Sequence, residues 1–319
     1  ALTDSDFQFV YHDSVTISLN GEETVYEAEA LRGRNEIISI PEQEGGILIP
    51  SIHRQCGTPS YGGRLEIRPC EEGLLAINIL PLEKYLEAVV PSEMPSTYEK
   101  EALKAQAVCA RTYAWKQMLG SRLHEYGADV DDSVSYQVYQ NVAPQESTTK
   151  AVRETEGMIL SQNGQPVEAY YFSTSAGVTS TDEIWGVSET ASYLKSVPCE
   201  FDAEEPWSAW TVQIPWTALE EKAVSLLNLA GKLKAVSVQK KSQSGAVTEL
   251  TVTTEGGTGT VDGEYSIREF LSPRGCKITE KDGSVTEGGK LLPSAYFEIQ
   301  SQDADGITLK GGGYGHGVG

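Results

Sequence analysis

The sequence predicts an α+β fold, on three observations. Residues 1–80 are a series of short apolar runs separated by Gly, Asn and charged turns. At Pro81 the pattern changes to helical spacing. From about Cys199 a mixed stretch of one amphipathic helix, a hairpin and further strands follows. The chain has 319 residues, 39% hydrophobic and 22% charged, enough for one large domain or two modest ones with real cores.

Within residues 1–80, VTISLN, YEAEAL, EIISI, GILIP, RLEIR and LLAINI read as strands, with a hairpin turn around Gly21. A helix opens at Pro81, where proline suits the first turn, and is expected to stop at Pro91. Ser92-Glu93-Met94-Pro95 is then a linker. Ser96 with Glu99 forms a capping box for a second helix that runs to about Leu119 and stops at Gly120. This helix carries alanine at 102, 105, 107, 110 and 114, as a buried core helix does. A shorter helix is expected over 150–160, and VEAYYFSTSAG reads as a buried strand running into a small-residue turn.

Farther on, WTALEEKAVSLLNLAG is an amphipathic helix, LKAVSVQKKSQSGAVTELTVTTEG a hairpin with a Ser-Gly turn, and YSIREFLS a short helix. SAYFEIQ and GITLKG are strands leading into the glycine-rich end. The expected division is a β-rich N-terminal region over 1–80, a core over 81–198 and 291–319, and an inserted α/β module over 199–290.

The net charge of −21 repels nucleic acid and anionic lipid, so neither is a natural partner. It also repels anionic wall polymers unless a local cationic patch offsets the field. No run of 18 apolar residues is present, so the sequence carries no spanning segment or anchor of its own. Of the five cysteines, none forms a CxxC pair, which argues against a zinc ribbon. Cys56 and Cys70 flank a possible hairpin and stand open as a disulfide or as two thiols; an odd count leaves at least one thiol free.

Glu93 is the candidate for chemistry. Flanked by Pro91 and Pro95 and close to Val89, Val90 and Met94, it is a rigid, partly desolvated carboxyl of the kind a general acid needs. Its plainer reading is a helix cap, a task the capping box next door would already perform. Lys104 and Arg111 lie two turns apart on one helical stripe; they either meet a ligand or pair with Glu101 and Glu83. His316 sits in GGGYGHGVG, where glycines allow close approach of a backbone and a histidine titrates near neutrality. HExxH, GxSxG and an acidic metal loop are absent, and Ser173, Thr174 and Ser175 have no histidine nearby in sequence, so a serine hydrolase fits poorly.

Taken together, LPLEKYLEAVVPSEMPSTYEKEALKAQAVCARTYA, then QVYQ, YYFSTSAG, LPS and GYGHGVG resemble the stage II sporulation protein D family, which is related to the amidase-enhancer protein LytB. The motifs cover roughly residues 60–319. The resemblance implies a lytic transglycosylase of peptidoglycan, forming a 1,6-anhydro-muramyl end without water. Its catalytic glutamate falls on Glu93. Its basic positions fall on Lys104 and Arg111, its serine-threonine turn on Ser173, Thr174 and Ser175, and its glycine tail on Tyr314 and His316, all expected to contact substrate in a groove where these segments converge. Glycosidases that use water need two carboxylates, whereas an internal hydroxyl can be served by one.

The same resemblance implies glycan strands as the partner, with a cell-wall amidase and other engulfment proteins alongside. It also implies an extracytoplasmic protein, membrane-anchored or wall-associated at full length. Some family members carry Cys-Asp-Thr-Thr-His-Cys before QVY, a zinc-like set. Here the stretch is Asp131-Asp132-Ser133-Val134-Ser135-Tyr136, so no zinc and no cofactor are expected. Ala176 stands for a family glycine and Phe172 for a histidine. Two other readings stay open: a glycan-binding activator of an amidase, and a purely structural wall protein.

Overall fold

The computed structural model describes residues 12–19, 21–34, 36–53, 57–133, 136–140, 142–187 and 191–319. It is α+β, and it divides into two compact units, residues 2–169 and 170–319. These boundaries differ from the three segments expected from the sequence. Cys56 lies outside the described residues, as does its pairing with Cys70.

In the unit 2–169, β1 (Ser14–Leu19) and β2 (Glu22–Glu27) form the expected hairpin, Leu19 opposite Glu22. Val15 and Ile17 of β1 alternate into the core. The run YEAEAL is not one strand: β2 ends at Glu27 and α1 (Ala28–Arg34) takes over, because Ala, Glu and Leu favour helix more strongly than strand. β3 (Ile38–Ile40), β4 (Ile47–Leu48), β5 (Ser60–Tyr61), β6 (Arg64–Pro69) and β7 (Leu74–Ile79) follow. They make two sheets, of order β2-β1-β4-β5 and β3-β6-β7.

Three helices cover them: α2 (Leu82–Glu93), α3 (Lys100–Gly120) and α4 (Glu146–Glu154). Leu86, Val89 and Val90 of α2, Ala107 and Ala110 of α3 and Val152 of α4 share one core with Val15, Ile17, Ile47 and Ile67. The alanines of α3 let its neighbours come close. A two-stranded ribbon, β8 (Ser161–Gln162) with β9 (Gln165–Pro166), follows.

The unit 170–319 begins without the strand expected from VEAYYFSTSAG. That stretch is irregular, with an isolated bridge at Thr174; its hydroxyl-rich half bonds to other segments of the unit instead of to a sheet. β10 (Trp210–Pro215), α5 (Trp216–Leu227), β11 (Leu233–Lys241), β12 (Val247–Thr254), β13 (Gly257–Asp262), α6 (Glu264–Phe270), β14 (Lys277–Glu280), β15 (Val285–Glu287), β16 (Phe297–Gln302) and β17 (Gly306–Gly311) complete it. The sheets run β15-β14-β10-β17-β16 and β11-β12-β13. α5 stops at Asn228, whose φ of 55° supplies the left-handed cap that glycine more often provides. Trp210, Ile214, Leu250, Phe270, Ile307 and Leu309 form its core.

Candidate functional site

Glu93 closes α2. The helix runs through Pro91 instead of stopping there. A proline removes its own N–H and crowds the carbonyl four back. So near the helix end only one bond is lost, and Met94 N–H to Val90 O (2.9 Å) and Ser92 Oγ to Ala88 O (2.7 Å) keep the last turn closed. The capping box does not form. α3 is capped at Glu99 with no side-chain bond. Residues 95–98 are taken up in a turn closed by Tyr98 N–H to Pro95 O (3.0 Å), and the Ser96 carbonyl accepts from Ser147 Oγ (2.7 Å). Glu93 is therefore a helix C-terminal residue, not one poised before an N-terminus.

The Glu93 carboxyl is half-buried, and its Oε1 accepts the Val138 N–H at 2.6 Å. The segment Tyr136–Gln140 that supplies this amide lies along α2, with Gln140 N–H also reaching Ser92 Oγ (3.3 Å). Tyr85 stacks on Tyr139 at 5.3 Å and donates to Gln137 Oε1 (3.2 Å). Burial raises the Tyr85 phenol well above its ordinary value, and the nearby Tyr139 and the Glu93 charge push the same way. Asp131 is also raised, by burial, although its Oδ1 accepts from Ser133 N–H and Oγ (both 2.8 Å). Val134 and Ser135, in the middle of the zinc-like stretch, lie outside the described residues.

Arg111 corrects the expectation that it meets substrate. It is 1% exposed. Its guanidinium forks onto Glu83, Nε to Oε1 and Nη2 to Oε2 at 2.8 Å each, and donates to the Val152 (3.1 Å) and Met158 (3.2 Å) carbonyls. With its donors turned onto protein acceptors, it ties α3 to α2 and to the end of α4. Lys104 lies in an ion-pair cluster with Glu154 (2.8 Å) and Glu101 (3.1 Å). Lys100 and Lys104 together lower the Glu154 carboxyl to about 2.

In the other unit the turn and the glycine tail do come together. Thr174 and Tyr314 exchange backbone bonds, N–H to O at 3.1 and 2.8 Å. Gly313 N–H bonds Trp207 O (2.8 Å), and Gly315 N–H bonds Pro293 O (2.9 Å). Gly313 has φ 83°, and a Cβ there would lie 3.0 Å from Ala176 N and Thr174 O, so this approach needs glycine. Of the turn only Ser173 is exposed. Thr174 and Ser175 are buried, Ser175 N–H on Asp202 Oδ2 (2.6 Å) and Ser175 Oγ accepting from Gly177 N–H (3.3 Å). This differs from their expected contact with substrate. Tyr314, 44% exposed, leans on Trp207 at 4.7 Å.

His316 does not titrate near neutrality as expected. Burial, helped by the Arg268 charge, lowers it to about 4. Its ring is walled by Trp185 (5.2 Å), Phe172 (5.7 Å) and Tyr170 (6.3 Å). Val318 N–H donates to Nδ1 at 3.0 Å, so the proton of the neutral ring sits on Nε2. The Tyr171 backbone pulls the other way and favours the charged ring, but burial outweighs it. Ser180 N–H to Gly317 O (2.6 Å) pins the same tail.

Sequence reasoning missed Tyr85, Gln137, Val138 and Trp207. The run QVYQ was the one signal for the middle pair. Among the described residues no three His, Cys, Asp or Glu side chains converge as a metal site, and no helix is long and apolar enough to cross a membrane.

Comparison with known proteins is specific. Residues 70–161 match the family model described as stage II sporulation protein, and residues 194–319 match a domain of unknown function. Over 258 residues the chain is 33% identical to stage II sporulation protein D of Bacillus subtilis (strain 168), covering 76% of this chain and 67% of that protein. It is 31% identical to the protein of the same name from Bacillus amyloliquefaciens, with the same coverage. It is 29% identical to the amidase enhancer of Bacillus subtilis (strain 168) over 73% of this chain and 36% of that protein. The chain belongs to the stage II sporulation protein D family.

Proposed function

We propose that this protein is a peptidoglycan lytic transglycosylase of sporulation-associated wall remodelling. It would cut the bond between N-acetylmuramic acid and N-acetylglucosamine with Glu93 as acid and then base. The observation that carries this is the Glu93 carboxyl itself: half-buried, at a helix end, with one oxygen held by the Val138 amide. In its acid form Glu93 gives its proton to the glycosidic oxygen as the C1–O bond breaks. The muramyl C6 hydroxyl then closes on C1, and its proton passes to the carboxylate, restoring the acid. No water enters, so one carboxyl suffices. Lys104 is the proposed glycan contact in the unit that holds Glu93, and Ser173 and Tyr314 are proposed contacts of the other unit by themselves. Wall amidases and engulfment proteins are proposed partners, in an extracytoplasmic setting with a membrane or wall anchor at full length.

A second reading has an observation of its own. The likeness to an amidase enhancer fits a glycan-binding activator with no bond-breaking step. The two separate on intact and peptide-stripped glycan analysed by mass spectrometry. The transglycosylase reading expects anhydro-muramyl products from the parent and none from folded Glu93→Gln. An activator yields no products alone and speeds an added amidase.

A further inference from the structure

The Oε1 of Glu93 accepts the Val138 amide, and the structure shows what holds that amide in place. Gln137 is completely buried, 0% exposed, one residue before Val138. Its Nε2 donates to the Ala110 carbonyl of α3 (3.2 Å), and its Oε1 accepts the Tyr85 hydroxyl of α2 (3.2 Å). The Ala110 carbonyl can only accept, so the orientation of the amide is settled. Tyr85 is in turn stacked on Tyr139, and Tyr139 donates to Asn78 Oδ1 (3.0 Å). The segment is thus anchored on both sides of Val138. Gln137 spans α2 and α3, Tyr139 leans back onto α2 and bonds β7, and the amide between them meets Glu93 at 2.6 Å.

We infer that Gln137 is a positioning residue, a buried strut between α2 and α3 that aims the Val138 N–H at Glu93 and so sets the direction of its carboxyl. A half-buried carboxyl at a helix end has several rotamers open to it. An amide fixed by a side chain that bonds two helices selects one. The donor also favours the charged form of Glu93, so the strut would set how readily the acid holds its proton as well as where it points. Tyr85 serves the strut as a permanent donor, because its surroundings keep the phenol protonated. An alanine or an aliphatic at 137 would take from the Tyr85 hydroxyl its acceptor and leave the Ala110 carbonyl with only its bond inside α3.

This inference rests on the reading of Glu93 as the acid, and the test keeps the two apart. Anhydro-muramyl release from glycan is measured for the parent, Glu93→Gln, Gln137→Met and Tyr85→Phe, all as the full chain. The core variant Ile67→Ala controls for lost stability, since it bonds none of these groups. The expected result is a kcat lowered roughly 10- to 100-fold in Gln137→Met with KM little changed. Tyr85→Phe, which keeps the ring stack, should show a smaller loss. The alkaline limb of the rate profile should move to higher pH in both, because the carboxylate has lost its fixed donor. The control should show none of these at a temperature where every variant is folded. A parent that releases no product, or one unaffected by Glu93→Gln, overturns the reading of Glu93. A Glu93-dependent parent whose Gln137→Met and Tyr85→Phe variants keep its kcat and pH profile overturns the strut alone.

Discussion

Glu93 and His316 are both half-buried polar side chains, and they differ in what surrounds them. Both drew attention in the sequence, one in a proline-bounded linker, the other in a glycine loop. In the structure His316 accepts the Val318 amide at Nδ1, is walled by three aromatic rings and is kept neutral. Glu93 is half-buried at a helix end with an amide on one oxygen. Arg111 falls with His316: its donors are turned onto Glu83 and backbone carbonyls. A polar group whose bonding capacity is spent on its own protein is framework, whatever the chemistry of its side chain suggests.

Arg111 gives the largest expected effect on stability. Arg111→Met removes the guanidinium that Glu83 and the Val152 and Met158 carbonyls share, and unfolding by urea should report a loss of about 3 kcal/mol, as when one partner of a buried pair is removed. A loss under about 1 kcal/mol would return Arg111 to the class of groups available for ligands. His316→Ala should cost about 2 kcal/mol, because the Val318 amide loses its acceptor and the Tyr171 backbone its partner. A variant as stable as the parent would undo the comparison.

The histidine also predicts a pH dependence. Its folded value is about 4, against roughly 6.5 when unfolded. Between these the unfolded chain binds more protons, so stability rises with pH. Its contribution is complete above about pH 6.5 and is lost as pH falls towards 4. The difference in unfolding free energy between the parent and His316→Gln should therefore shrink as pH falls across that window. A constant difference would mean that the ring is not held neutral. The smallest effect belongs to Lys104, which shares Glu154 with Lys100. Lys104→Ala should leave the melting temperature nearly unchanged and weaken glycan binding slightly at low salt. Unchanged binding would leave Lys104 as an ion-pair partner only.

Local patterns made much of this fold legible. The β1–β2 hairpin follows from alternation around Gly21, and α5, α6 and the β11–β12 hairpin from periodicity and turn residues. YEAEAL misled because its composition favours helix while its position suggested strand. Residues 167–177 misled because an apolar run there is spent on irregular contacts. The capping box failed because a turn over 95–98 claims its backbone. The prolines that drew attention to Glu93 do not bound a linker as the sequence suggested: α2 passes through Pro91. What no local pattern shows is partnership across long stretches of chain. Glu83 and Arg111 meet between helices, and Tyr85 with Gln137 across the segment after α3. Pairing Arg111 with Glu83 was visible in the sequence as one option, and only packing could choose it.

The central claim is that Glu93 serves an internal hydroxyl and not water. Digesting peptidoglycan glycan in water enriched in oxygen-18 and weighing the muramyl ends tests this directly. The account predicts ends lighter than hydrolysed ones by one water, carrying no label, and absent with Glu93→Gln. Labelled reducing ends from the parent would contradict it.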